Sequence, residues 1–326
     1  MIELSKAIMQ MESFKTFYNE VVEKRAFHSY IVESEDTLAR NCFTKMMAMT
    51  IMCEKNGCGE CPTCNKVKNK THVDVLYFPM EGRKQISSKD DIAIFFDRYS
   101  FKALEGGNRV FVFDSVNSIR DDWQNKMLKA LEETINNNYI IIQTDNSEKL
   151  LMTVKSRCSL IRLQSFELEM IKQILLDNEI SEKLSQLASV VSNGNITTAM
   201  NYVTDKNYLI ITDYVIETIK NCRSSKDCIE YINKLTAMRD NAMIMFNAFI
   251  NVFHSAMEIN ILHYERKYYR SEDISVIAEN YNATACAQII EIVNEYKKKY
   301  ELNVNFTALT EDLLLRIMEV KYKCRQ

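Results

Sequence analysis

Short apolar runs alternate with amphipathic segments in the first half of this chain. The runs are rich in β-branched and aromatic residues and predict buried strands at residues 28–32, 71–78, 110–113 and 139–144. Three of them are followed by segments with helical periodicity, at residues 37–52, 90–102 and 121–133. Because strands that alternate with helices build parallel sheets, this pattern predicts an α/β domain.

The pattern changes at Phe166, after which almost the whole chain has helical periodicity. Short helices are predicted at residues 167–177, 181–191 and 195–203, and longer ones at 209–222, 226–262 and 281–300. Six glycines and two prolines in 326 residues favour long helices over turn-rich β structure. We therefore predict an α/β domain over residues 1–165, a three-helix domain over 166–206 and an all-helical domain over 207–326.

Composition and charge narrow the class of protein. Hydrophobic residues make up 47% and charged residues 26%, which is typical of a globular protein and not of a disordered one. The net charge is −3, so a broad basic face that grips DNA unaided is not expected. Residues 1–24 predict an amphipathic helix and no secretory signal, and no apolar run is expected to span a bilayer. The predicted location is cytoplasmic, without membrane contact.

Four of the ten cysteines cluster, at positions Cys53, Cys58, Cys61 and Cys64. The spacing C-x4-C-x2-C-x2-C can close a tetrahedral thiolate shell around Zn²⁺, with nearby glycines and Pro62 allowing tight turns. Such a shell leaves no position for substrate, so its role would be structural. The alternative is four free or redox-active thiols.

A resemblance emerges when four motifs are taken in order. They are a strand ending at Asp114, a helix ending in QNKMLKALEE at residues 124–133, a strand ending at Thr144, and LLMTVKSRC at residues 150–158. This order resembles the clamp-loader branch of the AAA+ ATPases and, within it, the delta-prime subunits of bacterial DNA polymerase III. The resemblance is dense over residues 27–165. It implies a RecA-like AAA+ domain with an inserted zinc module, a helical lid and an oligomerising helical collar.

The family's phosphate-binding loop is degenerate here. The expected glycines fall on Ser34, Thr37 and Ala39, the lysine on Arg40, and the Mg²⁺-binding hydroxyl on Asn41. Acidic groups stand where a polyanion would lie, at Glu33, Glu35 and Asp36. Since glycines let backbone N–H groups approach phosphate, this loop predicts no productive ATP binding in cis. Arg40 is expected to be a solvated helix residue, with a replacement phosphate ligand as the alternative.

Other nucleotide contacts of the family are also altered. The acidic pair of an active ATPase is reduced to Asp114, because Ser115 stands at the position of the water-activating glutamate. Thr198 stands at the position of the lid arginine. Thr144 keeps the sensor position, and a structural role is predicted for it. The resemblance therefore implies no intrinsic ATPase activity.

The motif Ser156-Arg157-Cys158, by contrast, is intact. In clamp loaders the arginine of this motif is a finger directed at ATP bound by the neighbouring subunit, and a guanidinium can fork onto phosphate oxygens. The alternative for Ser156 and Arg157 is an ordinary surface segment. The family's zinc module usually has a longer first spacing, so Cys53 departs from its pattern.

The resemblance implies a non-hydrolysing subunit of the DNA polymerase III holoenzyme. It would lie in a hetero-pentameric ring with gamma/tau motor subunits and delta, and would contact the sliding clamp and primed DNA through the assembly. One alternative is an ATP-hydrolysing motor with a divergent phosphate loop. Another is a zinc-dependent nucleic-acid binder unrelated to replication, which leaves Asp114 and the Ser-Arg-Cys order unexplained.

Overall fold

A computed structural model describes residues 3–79, 90–105, 107–114, 121–133, 135–222, 225–262, 270–302 and 304–323. The chain forms two compact units. The first comprises Met1–Met170 with Asn195–Thr197, and the second comprises Ile171–Gly194 with Thr198–Gln326. The predicted boundary at residue 206 between a small helical domain and a larger one stays a prediction.

The first unit contains a five-stranded sheet in the order β2-β3-β4-β1-β5, and its four strand pairings are all parallel. The strands are β1 (Ser29–Glu33), β2 (Val75–Phe78), β3 (Arg109–Phe113), β4 (Asn138–Thr144) and β5 (Ser159–Arg162). The predicted parallel α/β architecture is therefore confirmed. The edge strand β5 was not foreseen from the sequence, and β2 begins four residues later than expected.

Helices connect these strands and cover the sheet. They are α1 (Ser5–Gln10), α2 (Glu12–Val22), α3 (Thr37–Met52), α4 (Pro62–Lys68), α5 (Asp90–Ser100), α6 (Asp121–Glu132) and α7 (Met152–Lys155). Alternate strand residues point to opposite faces. Ile31, Phe111 and Ile140 thus pack in one cluster with the apolar sides of α5 and α6. The ring of Tyr30, the residue before Ile31, instead packs edge-on against Phe17 of α2.

A fully buried ion pair fixes the amino end of β3. The Asp74 carboxylate accepts hydrogen bonds from Nε and Nη2 of Arg109, at 3.1 and 2.9 Å, and from two backbone N–H groups. Arg109 also donates to the carbonyl oxygens of Phe101 and Lys102, at 2.8 Å each. Burial opposes ionisation of Asp74, but these donors overcome it and lower the pKa of the carboxyl. The pair thereby ties the loop before β3 to the strand.

We expect Asp74→Asn to lower the free energy of unfolding by about 3–5 kcal/mol, since it leaves the buried Arg109 charge without its partner. Because the pKa of Asp74 is lowered by folding, its stabilisation is present above the unfolded-state value and is lost as the pH falls through the folded-state value. Urea unfolding at several pH values measures both effects. The exposed Asp97→Asn is the matched control, and equal stability of the two variants would contradict the prediction.

The second unit is entirely helical in its described part. Its helices, two of which begin or end in the first unit, are α8 (Leu168–Asp177), α9 (Glu182–Val191), α10 (Ile196–Thr204), α11 (Lys206–Asn221), α12 (Ser225–Thr236), α13 (Ala242–Leu262), α14 (Ser271–Asn280), α15 (Ala283–Glu301) and α16 (Phe306–Lys323). Its core is built around α13, whose Phe246, Phe249 and Phe253 are fully buried.

Two predicted single helices are in fact pairs. Residues 226–262 form α12 and α13, separated by a short 3₁₀ turn at Arg239–Asn241. The break follows from packing, because α12 lies against α16 whereas α13 lies against α15 and α11. The N-terminal segment likewise divides into α1 and α2 at Met11.

The segment Arg239–Leu262 is long and apolar enough to cross a membrane by length and composition, so the expectation that no such run exists was wrong. The core helix of a soluble protein passes the same test. Eight residues of α13 are buried within the second unit, among them Met245 and Val252. The packing of this helix into the core accounts for its apolar composition.

Candidate functional sites

The carboxyl ends of the parallel strands place the sequence-predicted nucleotide residues along one edge of the sheet. Glu33 of β1 pairs in register with Thr144 of β4, and Asp114 directly follows β3. Ligands of α/β proteins bind at this edge. Ser115 lies outside the described residues.

The Asp36 carboxylate accepts hydrogen bonds from backbone N–H groups at the start of α3 and of α10. Its Oδ1 accepts hydrogen bonds from the backbone N–H of Ala39 at 3.1 Å and from the Thr197 hydroxyl at 2.7 Å. Its Oδ2 accepts from the backbone N–H of Ile196 at 2.5 Å. The Thr197 hydroxyl in turn accepts from the Leu38 N–H at 2.8 Å. Two N–H groups at the start of α3, those of Leu38 and Ala39, are therefore occupied by the chain's own side chains.

Arg40 is buried, contrary to the expectation of a solvated residue, with 6% of its surface exposed. Its guanidinium donates to the carbonyl oxygen of Ser34 in the same loop. Burial lowers the pKa of Arg40, and the nearby charges of Asp114, Asp145 and Asp36 oppose that effect. Arg40, at the position of the family's lysine, is thus hydrogen-bonded to the loop that precedes its own helix.

Glu33 is held by contacts within the first unit. Its carboxylate accepts from the backbone N–H of Ser147 at 2.9 Å, from the Ser147 hydroxyl at 3.1 Å and from Nε of Arg162 at 2.8 Å. Burial opposes ionisation, but these donors lower the pKa of Glu33. The carboxylate is therefore a structural cross-link between β1, β5 and the segment after β4.

The remaining predicted nucleotide positions differ in their burial and contacts. Thr144 is buried and its hydroxyl closes a turn with Asn146, which supports the structural role expected for it. Thr37 is exposed at the start of α3, and Asn41 is half-buried one turn later. Thr198 is half-buried on α10 and belongs to the second unit.

The four clustered cysteines come together as predicted. Their sulfur atoms all lie within 4.8 Å of one another, and all four are free thiols. Sγ of Cys53 lies 3.8 Å from Sγ of Cys58 and 3.6 Å from Sγ of Cys61. Four thiolates about 2.3 Å from one zinc ion have sulfur–sulfur separations of about 3.8 Å. The donor set therefore fits a tetrahedral metal ion, and Cys53 belongs to the cluster in spite of its short spacing.

Backbone N–H groups around Cys53 stabilise the thiolate form of this residue. Burial opposes ionisation of Cys53, but N–H groups of Cys58, Gly57 and Lys55 lower its pKa to about 6. Sγ of Cys61 accepts the N–H of Cys64 at 3.4 Å and so caps α4. Because thiolates are the form that binds metal, the donors around Cys53 favour coordination by that residue, whereas burial raises the pKa of the Cys64 thiol.

A glycine is required inside the cysteine loop. Gly57 has a φ of +83°, and a Cβ atom there would lie 3.0 Å from the Thr50 hydroxyl and 3.3 Å from its backbone. A side chain at this position would therefore be strained in conformation and crowded against α3. Glycine at position 57 thus allows the loop between Cys53 and Cys58 to pass close to Thr50 of α3.

Arg157 lies just after α7 in a shell of polar contacts. Its Nε donates to Oε1 of Glu132 at 2.6 Å, and Nη2 forms an ion pair with the same oxygen. Its Nη1 donates to the carbonyl oxygen of Thr153 at 2.8 Å. The hydroxyl of Ser156 also donates to Thr153, at 3.1 Å. About a third of the arginine side chain remains exposed, 32%, so the guanidinium is oriented but accessible.

Comparison with known proteins finds similarity to subunits of DNA polymerase III. A family model described as DNA polymerase III, delta subunit, matches residues 9–167. A protein named DNA polymerase III subunit delta' from Bacillus subtilis is 21% identical over 326 residues, covering 95% of this chain and 97% of that protein. Over almost its whole length, the chain is thus similar to a delta-prime subunit of DNA polymerase III. The resemblance found in the sequence is thereby confirmed.

Two further relatives match over part of the chain. A delta' subunit from Haemophilus influenzae is 26% identical over 176 residues, covering 53% of this chain and 50% of that protein. A tau subunit from Salmonella typhimurium is 23% identical over 187 residues, covering 54% of this chain and 29% of that protein.

Two contacts in this chain were missed by the sequence analysis. One is the capture of Thr197 by Asp36, which joins positions 161 residues apart and has no local signature. The other is Glu132, for which a signal exists. Glu132 and Glu133 stand at the carboxyl end of α6, where the helix dipole disfavours negative charge. Acidic residues at that position are a sign that a cation lies nearby.

Proposed function

We propose that this chain is a non-hydrolysing subunit of the replication clamp loader that donates Arg157 to the ATP site of a neighbouring motor subunit. It would form a hetero-pentameric ring with gamma/tau motor subunits and delta, act as a rigid platform, and help load the sliding clamp onto primed DNA. The observation that carries the proposal is a contrast. In cis, Asp36 and Thr197 occupy N–H groups at the start of α3, whereas the Arg157 side chain is held by Glu132 and remains 32% exposed.

The occupied N–H groups support the absence of productive ATP binding in cis. A phosphate bound at the start of α3 would have to displace Asp36 from the Ala39 N–H and Thr197 from the Leu38 N–H. It would also meet the negative charges of Asp114 and Asp36 without the family's lysine. Like charges at short range are repulsive, and the buried Arg40 is already engaged with Ser34.

The arginine finger is supported by the chemistry and setting of Arg157. A guanidinium keeps its charge and presents several N–H donors in a plane that matches phosphate oxygens. The surrounding segment also exposes apolar side chains, with Met152 of α7 72% exposed and Leu160 of β5 37% exposed. Exposed apolar side chains beside an oriented cation suit a surface that packs against a neighbouring subunit.

A zinc ion held by Cys53, Cys58, Cys61 and Cys64 would complete the module between α3 and α4. When bound, the ion would supply structural cross-linking and no reaction chemistry, because four protein ligands close its shell. The module would then stabilise the first unit without taking part in ATP turnover.

Partners and location follow from the family and the charge of the chain. Several relatives are named tau subunits of DNA polymerase III, and delta-prime relatives match over most of the chain. With a net charge of −3, the chain would meet DNA through the assembled ring and not through a basic face of its own. We place the protein in the cytoplasm, in line with the burial of α13 within its core.

The leading alternative is an ATP-hydrolysing motor subunit with a divergent phosphate loop, and a titration with Mg-ATP separates the two functions. For the isolated chain we expect no saturable binding at concentrations up to about 1 mM, the upper end of ordinary substrate affinities. Isothermal titration calorimetry measures this directly, with a purified motor subunit as the positive control. Tight binding followed by hydrolysis would establish the motor function instead.

A further inference from the structure

Glu132 and Arg157 come from two elements that are packed rigidly together. Leu131 and Met127 of α6 share a buried cluster with Leu150 and Val154 around α7. The Gln124 side chain of α6 also accepts the Leu151 N–H at 2.8 Å. The carboxylate of Glu132 is therefore presented to Arg157 from a fixed position.

The guanidinium is held from two sides. One carboxylate oxygen of Glu132 accepts from Nε of Arg157 and pairs with its Nη2. The carbonyl oxygen of Thr153 accepts from Nη1. A free arginine side chain populates many rotamers, and selecting one of them has an entropic cost. These contacts select one rotamer before any partner arrives.

The ion pair between Arg157 and Glu132 contributes little to the free energy of folding. The side chains of Arg157 and Glu132 are 32% and 47% exposed, and ion pairs at such positions contribute little to folding. A carboxylate at the carboxyl end of α6 is also disfavoured by the helix dipole. The geometry therefore favours a role for Glu132 in orientation.

We propose that Glu132 is the positioning residue of the arginine finger. It holds the Arg157 guanidinium at the angle from which the exposed part of the side chain reaches the phosphates of a neighbour's ATP. This inference rests on the proposed in-trans function of Arg157. The step it assists is charge stabilisation on the transferred phosphoryl group, and Glu132 itself contacts neither the nucleotide nor the attacking water.

The test uses the full reconstituted assembly with the neighbouring motor subunits, delta, clamp and primed DNA. Glu132→Ala should lower kcat at the neighbouring ATP site by roughly 10- to 100-fold, with KM for ATP little changed, because the arginine would lose its orientation. Glu132→Gln should recover most of the rate, since its amide oxygen still accepts from Nε. Glu133→Ala is the matched control. This exposed carboxylate neighbours Glu132, and its removal should leave turnover unchanged.

A double-mutant cycle separates orientation of Arg157 from any other effect of Glu132. In an Arg157→Ala background, Glu132→Ala should cause no further loss, because no finger remains to be positioned. An equal loss in both backgrounds would overturn the inference, as would unchanged or faster turnover of the single Glu132→Ala variant. If Arg157→Ala alone left turnover unchanged, the proposed function itself would fail and the inference with it. Light scattering on each assembly verifies that the ring is intact.

Discussion

Replacing Arg157 with alanine should lower ATP turnover at the neighbouring site of the reconstituted clamp loader by about 10³–10⁵-fold, the usual contribution of an arginine finger. That factor corresponds to roughly 4–7 kcal/mol of activation barrier. The physical reason is that charge spreads over the phosphoryl oxygens in the transition state, where a fixed guanidinium stabilises it. The loss should therefore appear in kcat more than in KM.

The fall is expected at one site of a ring that contains several motor subunits. The steady-state ATPase rate of the whole ring falls at most by the fraction that this one site contributes to it. Single-turnover hydrolysis is therefore the more sensitive measurement. Arg157→Lys should recover only a small part of the rate, because an ammonium lacks the planar fork.

The matched control for this experiment is Arg25→Ala. Arg25 is a surface arginine of the first unit whose ion pair with Glu23 is more exposed than that of Arg157. Its removal should leave single-turnover hydrolysis unchanged. Unchanged hydrolysis by the Arg157→Ala ring, with assembly intact, would remove the finger from the mechanism and leave the chain as a scaffold.

Loss of the metal centre should have the second large effect. Protein purified without chelator should contain about one zinc ion per chain, and Cys64→Ser should release it, because three thiolates no longer close the shell. Structural zinc contributes about 10–16 kcal/mol of apparent binding free energy in small modules, so its loss should unfold the segment from Cys53 to Lys68. Elemental analysis and amide hydrogen exchange measure the two consequences.

The control for the metal experiment is Cys42→Ser. Cys42 is a half-buried cysteine on α3, outside the four-cysteine cluster, so its substitution should leave zinc content unchanged. Absence of zinc from the unmodified protein, or retention of zinc by Cys64→Ser, would contradict a four-thiolate structural site. The effect on ATP turnover of the assembly should be small, because the centre has no place for substrate.

The pattern of apolar positions predicted β1, β3, β4, α3 and α6 within one or two residues of their observed bounds. The three strands are almost entirely buried, so each forms a continuous apolar run that is easily recognised. The edge strand β5 was missed because it has only four residues. Two of them, in alternate positions, are partly buried and the other two are exposed to solvent. A strand so short leaves almost no periodic signal.

The cysteine cluster was predictable because its ligands lie within twelve consecutive residues, and turns near Gly57 and Pro62 bring them together. The hydrogen bond between the Thr197 hydroxyl and the Asp36 carboxylate was not predictable. Its partners are 161 residues apart, and short polar side chains of this kind occur throughout any chain. Arg40 was assigned to solvent because an arginine at a helix start is usually exposed. Its burial depends on a loop conformation that no local pattern encodes.

By itself, the sequence determined the parallel α/β architecture, the helical second half, the four-cysteine cluster and the order of motifs that resembles clamp loaders. Those features rest on local periodicity and short spacings, which survive in a linear chain. Only the tertiary structure decided that 226–262 divides into α12 and α13, that Asp36 caps two helices, and that Glu132 holds Arg157. Each of these depends on which distant elements pack together, and packing is settled by burial over the whole fold.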